Sequence, residues 1–113
     1  MKTADFDRAK GLAVMENILQ AQKTINAVFA QNDEMALGAI QAIRAAKRQS
    51  QMFVVGFDAI ADALAAVKAG TMAATIAQQP KEMGRLAVEA AVKIITKKAV
   101  PKFTPVPLKL VTK

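Results

Sequence analysis

The sequence predicts an α/β domain built on a parallel sheet with helices on its faces. Apolar residues recur at helical spacing in long stretches, and short apolar runs of strand length separate them. The two patterns alternate strictly along the chain, which calls for right-handed strand–helix–strand crossovers. A chain of 113 residues has room for one hydrophobic core rather than two complete ones.

The first helix is expected from Phe6 to Gln22, with Leu12, Met15, Ile18 and Leu19 on one face. Asp5 is its expected N-cap; Arg8 stands where a capping box would place Glu or Gln, so the box is incomplete. Thr24–Ala30 reads as the first strand. Asn32 and Asp33 offer a cap for a second helix, Glu34–Ala46, whose Ala36, Leu37, Ile40 and Ile43 share a face. Lys47–Gln51 is a polar turn. Met52–Phe57 is nearly all apolar and is expected to be a strand buried on both faces. Asp58 is expected to start a third helix that runs through Ala61, Leu64, Ala65 and Val67 and ends at Gly70. Met72–Ala77 reads as the third strand. Pro80 sits where a first-turn proline is tolerated and opens a helix to about Lys98, with Met83, Leu86, Ala87, Ala90 and Ile94 on one face. Pro101, Pro105 and Pro107 enforce an extended tail, and Leu108–Thr112 alternates like an exposed or edge strand.

Composition narrows the function. With 53% hydrophobic and 22% charged residues the chain is of ordinary globular type. No apolar run reaches the roughly 20 residues of a membrane-spanning helix, and the first residues show no apolar export signal. The absence of Cys and His removes disulfides, thiolate chemistry, the usual general base and the commonest metal ligand. Neither a catalytic residue, a metal site nor a cofactor is expected, and binding leads over catalysis. The net charge of +7 raises nucleic acid as a partner. However, the lysines that follow Glu89 flank prolines and apolar positions, with Phe103 the one aromatic among them rather than an interleaved set to stack on bases. They read as a solvated surface, and no nucleic-acid partner is expected.

In an open parallel sheet, ligands bind beyond the carboxyl ends of the strands. Those ends are followed here by Gln31, Asn32 and Asp33, then Phe57 and Asp58, then Gln78 and Gln79. Amides, carboxylates and an aromatic ring suit a neutral polar ligand, and no glycine-rich phosphate loop is present. Each position also has a plainer reading: Asn32, Asp33 and Asp58 as helix caps, Phe57 as core, Gln78 as turn polarity.

The segments Phe6–Leu12 (FDRAKGL), Ala27–Ile40 (AVFAQNDEMALGAI), Val54–Asp58 (VVGFD), Ala73–Pro80 (AATIAQQP) and Leu108–Lys113 (LKLVTK) together resemble the periplasmic sugar-binding proteins of ABC transporters. The NDxMALGA and GFD motifs also resemble those of sugar-sensing repressors of the lactose-repressor type. That leaves the effector-sensing part of a transcription regulator as the alternative. The segments Thr75–Gln79 and Pro107–Lys113 favour the transporter branch.

The resemblance implies two α/β lobes joined by a hinge, with D-ribose or a close aldose held in the cleft between them. It covers only the family's C-terminal portion: the opening strands of the C-terminal lobe and most of the N-terminal lobe have no counterpart. Residues 1–79 correspond to the latter part of the C-terminal lobe. Residues 80–107 correspond to a hinge crossing and a helix that packs in the other lobe, and residues 108–113 to a final strand returning to the hinge. By the same resemblance, Phe6 is the aromatic platform for the sugar ring and Asn32 an amide for its hydroxyls. Phe57 and Asp58 are an apolar wall and a hydroxyl-accepting carboxylate, and Gln78 is the hinge-side amide.

The partners implied are a monosaccharide, a membrane ABC permease and a chemotaxis receptor, in a periplasmic or extracytoplasmic setting. With one wall only, the chain alone is expected to bind sugar weakly or not at all. The first strand's missing neighbour and the bare apolar face of the last helix imply a further partner. That partner is the missing N-terminal lobe or a second copy, as a dimer or swapped assembly.

Overall fold

The computed structural model describes all 113 residues, Met1–Lys113. In chain order the elements are α1 (Arg8–Ala21), β1 (Ala27–Phe29), α2 (Asp33–Ala45), β2 (Phe53–Val55), α3 (Ala61–Ala69), β3 (Ala74–Ala77), α4 (Pro80–Ile95) and β4 (Lys109–Thr112). The predicted alternation holds throughout. Two compact units divide the chain, Met1–Ala77 with Leu110–Lys113, and Gln78–Lys109.

In the first unit the sheet order is β1-β2-β3-β4. β1 and β2 run parallel with Val28 opposite Val54, and β2 and β3 run parallel with Val55 opposite Ala74. Strands laid down side by side in chain order, joined by right-handed crossovers, put their connecting helices on one face. The core lies on that face, where Met15 and Leu19 of α1, Ala36, Ala39 and Ile43 of α2, Val54 of β2 and Ala63 and Val67 of α3 form one buried cluster.

This corrects one expectation, a second strand buried on both faces. Val54 is 3% exposed, but Phe53 and Phe29, which point the other way, are 68% and 60% exposed. The physical reason is the side-chain period of two: residues one apart along a strand face opposite sides, so Val54 enters the core while Phe53 and Phe29 point away from it.

α1 and α2 cross at close range. A methyl group on Gly38 would overlap the carbonyl oxygen of Arg8 and lie 2.7 Å from the Leu12 nitrogen, so only a residue without Cβ permits the approach. Two further boundaries differ from expectation. Asp7, not Asp5, caps α1, its Oδ1 accepting the Lys10 N–H at 2.8 Å. Asp5 instead sits in the left-handed region at φ 49° and pairs with Lys10 through its side chain at 2.7 Å. α3 begins at Ala61, and Asp58 belongs to the turn before it. Gly70 ends α3, as expected.

In the second unit Pro80 occupies the first turn of α4, as predicted, and the helix stops at Ile95. None of its residues is buried; Met83, Val88, Val92, Ile94 and Ile95 are all exposed apolar side chains. Arg85 pairs with Glu82 and Glu89 along its polar side. The proline-rich return has no regular secondary structure, and Gln79 Nε2 donates to the Pro107 carbonyl at 2.8 Å. No helix is long and apolar enough to cross a membrane.

Candidate functional site

Parallel strands deliver the residues after their carboxyl ends to one rim. After β1, Asn32 caps α2: its Oδ1 accepts the Met35 N–H at 2.9 Å. Its Nδ2 donates to the carbonyl of Phe6 at 3.1 Å. One amide thus joins the start of α2 to the loop that enters α1. Phe6 stands in the left-handed region at φ 57°, directly after Asp5, and its ring is 64% exposed.

After β2, the backbone continues toward β3. The Asp58 N–H donates to the Ile76 carbonyl at 2.9 Å, and Asp58 forms a parallel bridge with Ala77. Phe57 and Asp58 are half-buried. The turn then takes two strained residues in succession, Asp58 at φ 121° and Ala59 at φ 58°. Conformations of this kind in non-glycine residues cost on the order of 1–3 kcal/mol each and persist only where neighbours fix them. After β3, Gln78 is half-buried and is the first residue of the second unit.

The structure therefore links Phe6 and Asn32 directly and sets Phe57 and Asp58 at the end of the adjacent strand. Gln78 follows Ala77, the bridge partner of Asp58, in the chain.

Beneath this rim lies a residue that the sequence offered as a strand-end carboxylate or an alternative cap. Asp33 is 0% exposed. Its Oδ1 accepts the Thr75 hydroxyl at 2.7 Å and its Oδ2 accepts the Ile60 N–H at 2.9 Å. Thr75, equally enclosed, in turn accepts the Ala59 N–H at 3.2 Å. A methyl group on Gly56 would overlap Asp33 Oδ1, so the bare backbone of Gly56 leaves the space the carboxylate fills. The sequence does carry one signal of this network: Thr75 is the hydroxyl inside an otherwise apolar strand, and a buried hydroxyl needs an acceptor.

At the same end of the sheet Arg8 ties three helix starts together. Its Nε reaches Glu34 at 2.6 Å and its terminal nitrogen reaches Asp62 at 2.9 Å. Hydrogen bonding to Glu34, then to Asp62, raises the guanidinium above its already high ordinary pKa. No group of three or more acidic side chains gathers to hold a metal ion. The rim presents an aromatic face, an amide and a carboxylate, which suits hydrogen bonding and stacking with a neutral polyol.

The chain is similar to known proteins over nearly its whole length. Residues 1–99 match the family described as periplasmic binding protein domain. The chain is 53% identical over 111 residues to the ribose import binding protein of Bacillus subtilis strain 168, covering 98% of this chain and 36% of that protein. A solute-binding protein of Actinobacillus succinogenes with bound D-allose superposes with a TM-score of 0.88 at 38% identity. That match covers 96% of this chain and 38% of the other. A solute-binding protein of Bacillus halodurans with bound myo-inositol gives a TM-score of 0.87 at 42% identity, over 97% of this chain and 38% of that one. The chain thus spans less than two fifths of the length of these relatives.

Proposed function

The chain belongs to the periplasmic binding protein domain family, and from that premise we propose that its strand-end rim is one wall of a sugar cleft. The ligand is D-ribose or a close aldose, delivered to a membrane ABC permease in an extracytoplasmic setting, with no chemistry performed on it. The observation that carries this reading is the placement of Phe6, Asn32, Phe57 and Asp58 at one end of the sheet. The identity to a ribose import binding protein supports it.

The roles follow from side-chain chemistry. The exposed ring of Phe6 offers a platform for the C–H face of a sugar. Asp58 accepts hydroxyl protons, each such charge-assisted bond contributing about 1.5–3 kcal/mol. Asn32 is both cap and ligand: its Oδ1 has a second lone pair and its Nδ2 a second hydrogen beyond those used internally. The cap therefore fixes the amide without exhausting it. Phe57 forms the apolar flank, and Gln78 adds an amide from the hinge side. A sugar held by one wall stays in contact with water, which competes for every hydroxyl, so tight binding needs the second lobe.

The test is titration of the isotope-labelled chain with D-ribose, followed by amide NMR shifts. Weak binding is expected, with millimolar or poorer affinity and shifts concentrated at Phe6, Asn32, Phe57 and Asp58. Shifts confined to other regions, or none at these residues at the highest sugar concentration, would overturn the site. Micromolar affinity of the monomer would overturn the requirement for a second wall.

The same reading predicts a covering partner. β1 is an edge strand, and an open apolar groove of about 670 Å³ lined by Met1, Phe6, Val14, Ile18, Val28 and Phe29 runs along it. Such an edge invites pairing. A second copy of the chain, or the further lobe that the resemblance implies, fills it.

A further inference from the structure

We infer that Asp33 and Thr75 are positioning residues for the sugar wall: they touch no ligand but set where Asp58 and Asn32 stand relative to each other. The inference rests on the sugar-wall reading above. Both side chains are 0% exposed, so neither reaches the rim. Each is one step removed from a rim residue: Asp33 follows Asn32 in the chain, and Thr75 holds the amide of Ala59, which follows Asp58.

The two polar side chains form a chain of hydrogen bonds across three elements. The Ala59 N–H donates to Thr75 Oγ1, Thr75 Oγ1 donates to Asp33 Oδ1, and the Ile60 N–H donates to Asp33 Oδ2. The start of α2, the turn after β2 and the middle of β3 are thereby locked to one another. The turn so held carries two consecutive residues at positive φ, Asp58 and Ala59. A free turn would relax out of that conformation and carry the Asp58 carboxylate with it. Gly56 fits the same arrangement, since a side chain there would expel the carboxylate from its place. The arrangement is a buried, fully satisfied polar network, whose function is to specify one geometry rather than to add contact area.

The decisive variant is Thr75→Val in the 113-residue chain, which keeps the shape and removes the hydroxyl. Thr75→Ser keeps the hydroxyl, and Ile43→Val weakens the core elsewhere. Two readouts are taken. Without sugar, amide exchange of Ala59 and Ile60 is expected to quicken at least tenfold in Thr75→Val relative to amides of α2, and to return toward the parent rate in Thr75→Ser. With D-ribose, the shift response of Asp58 is expected to fall at least fivefold in Thr75→Val and to stay near the parent value in Thr75→Ser and Ile43→Val.

Parent-like exchange in Thr75→Val overturns the inference. So does a loss of sugar response shared equally by Ile43→Val, which would make the network a matter of stability alone. If the parent chain shows no response to ribose at the rim, the sugar-wall reading fails, and the exchange result alone decides whether the network holds the turn. Should Thr75→Val not fold, Asp33→Asn takes its place: it retains a carbonyl acceptor for Ile60 but presents Thr75 with an amide NH2 donor instead of an accepting oxygen.

Discussion

The close crossing of α1 and α2 makes Gly38→Ala a demanding test of the fold. Helix propensity alone says this change should stabilise, because alanine in a helix interior is favoured over glycine by about 1 kcal/mol. The structure says the opposite. The added methyl would overlap the Arg8 carbonyl oxygen and lie 2.7 Å from the Leu12 nitrogen. Both are backbone atoms of α1, so no rotamer change relieves the clash and the whole helix must retreat.

Overpacking of this kind costs typically about 1–3 kcal/mol, and a backbone obstacle places Gly38→Ala at the upper end. Set against the propensity gain, the net loss is about 2 kcal/mol, or roughly 10 °C in melting temperature for a unit of this size. Gly84→Ala is the matched control, since nothing lies within 4 Å of its added methyl. It should raise the helicity of α4. Thermal unfolding followed by circular dichroism reads both variants. A Gly38→Ala chain that melts at or above the parent temperature would refute the packing argument.

Three shorter predictions accompany it. Arg8→Ala should cost about 1 kcal/mol or less in urea unfolding, because the pairs to Glu34 and Asp62 are more than a third exposed; the loss should shrink further in 1 M salt, as screening at roughly 3 Å requires. The Glu82 carboxyl is held below its ordinary value of 4.5, first by its hydrogen bond from Arg85. Its contribution is therefore present above about pH 4.5 and lost as pH falls through the lowered value; the Cα shifts of residues 81–89 should report helix loss there in the parent and a flatter profile in Glu82→Gln. Phe29→Lys, which puts a charge on the β1 edge, should move the chain toward monomer in sedimentation equilibrium; a parent chain that is monomeric at all concentrations would remove the case for self-association.

Most of the fold was legible because apolar period and helix punctuation are local signals. Pro80 at the start of α4, Gly70 at the end of α3 and Asn32 at the start of α2 each mark a boundary that their own backbone preferences dictate. The exposure of Phe29 and Phe53 was not legible in the same way. Phe53 belongs to a nearly all-apolar run that reads as buried on both faces, and only the direction in which successive strands are laid down decides which face gains helices. Asp5 and Asp7 are two residues apart and equally good caps in sequence; the backbone path through Asp5 and Phe6, left-handed at both, is what hands the capping role to Asp7.

Asn32 and Asp33 show why a strand-end list finds a rim but cannot assign its parts. They are adjacent and similar in polarity, and both were read as possible caps. In the structure Asn32 caps the helix with spare hydrogen-bonding capacity, and Asp33 points inward and spends both oxygens on Thr75 and Ile60. The difference lies in residues distant along the chain, Gly56 and Thr75, one clearing the space and the other supplying the donor. A turn that carries Asp58 at φ 121° is tolerable only with such support from beneath. The rim's chemistry is thus written locally, residue by residue, while its geometry is written in long-range polar contacts that periodicity does not reveal.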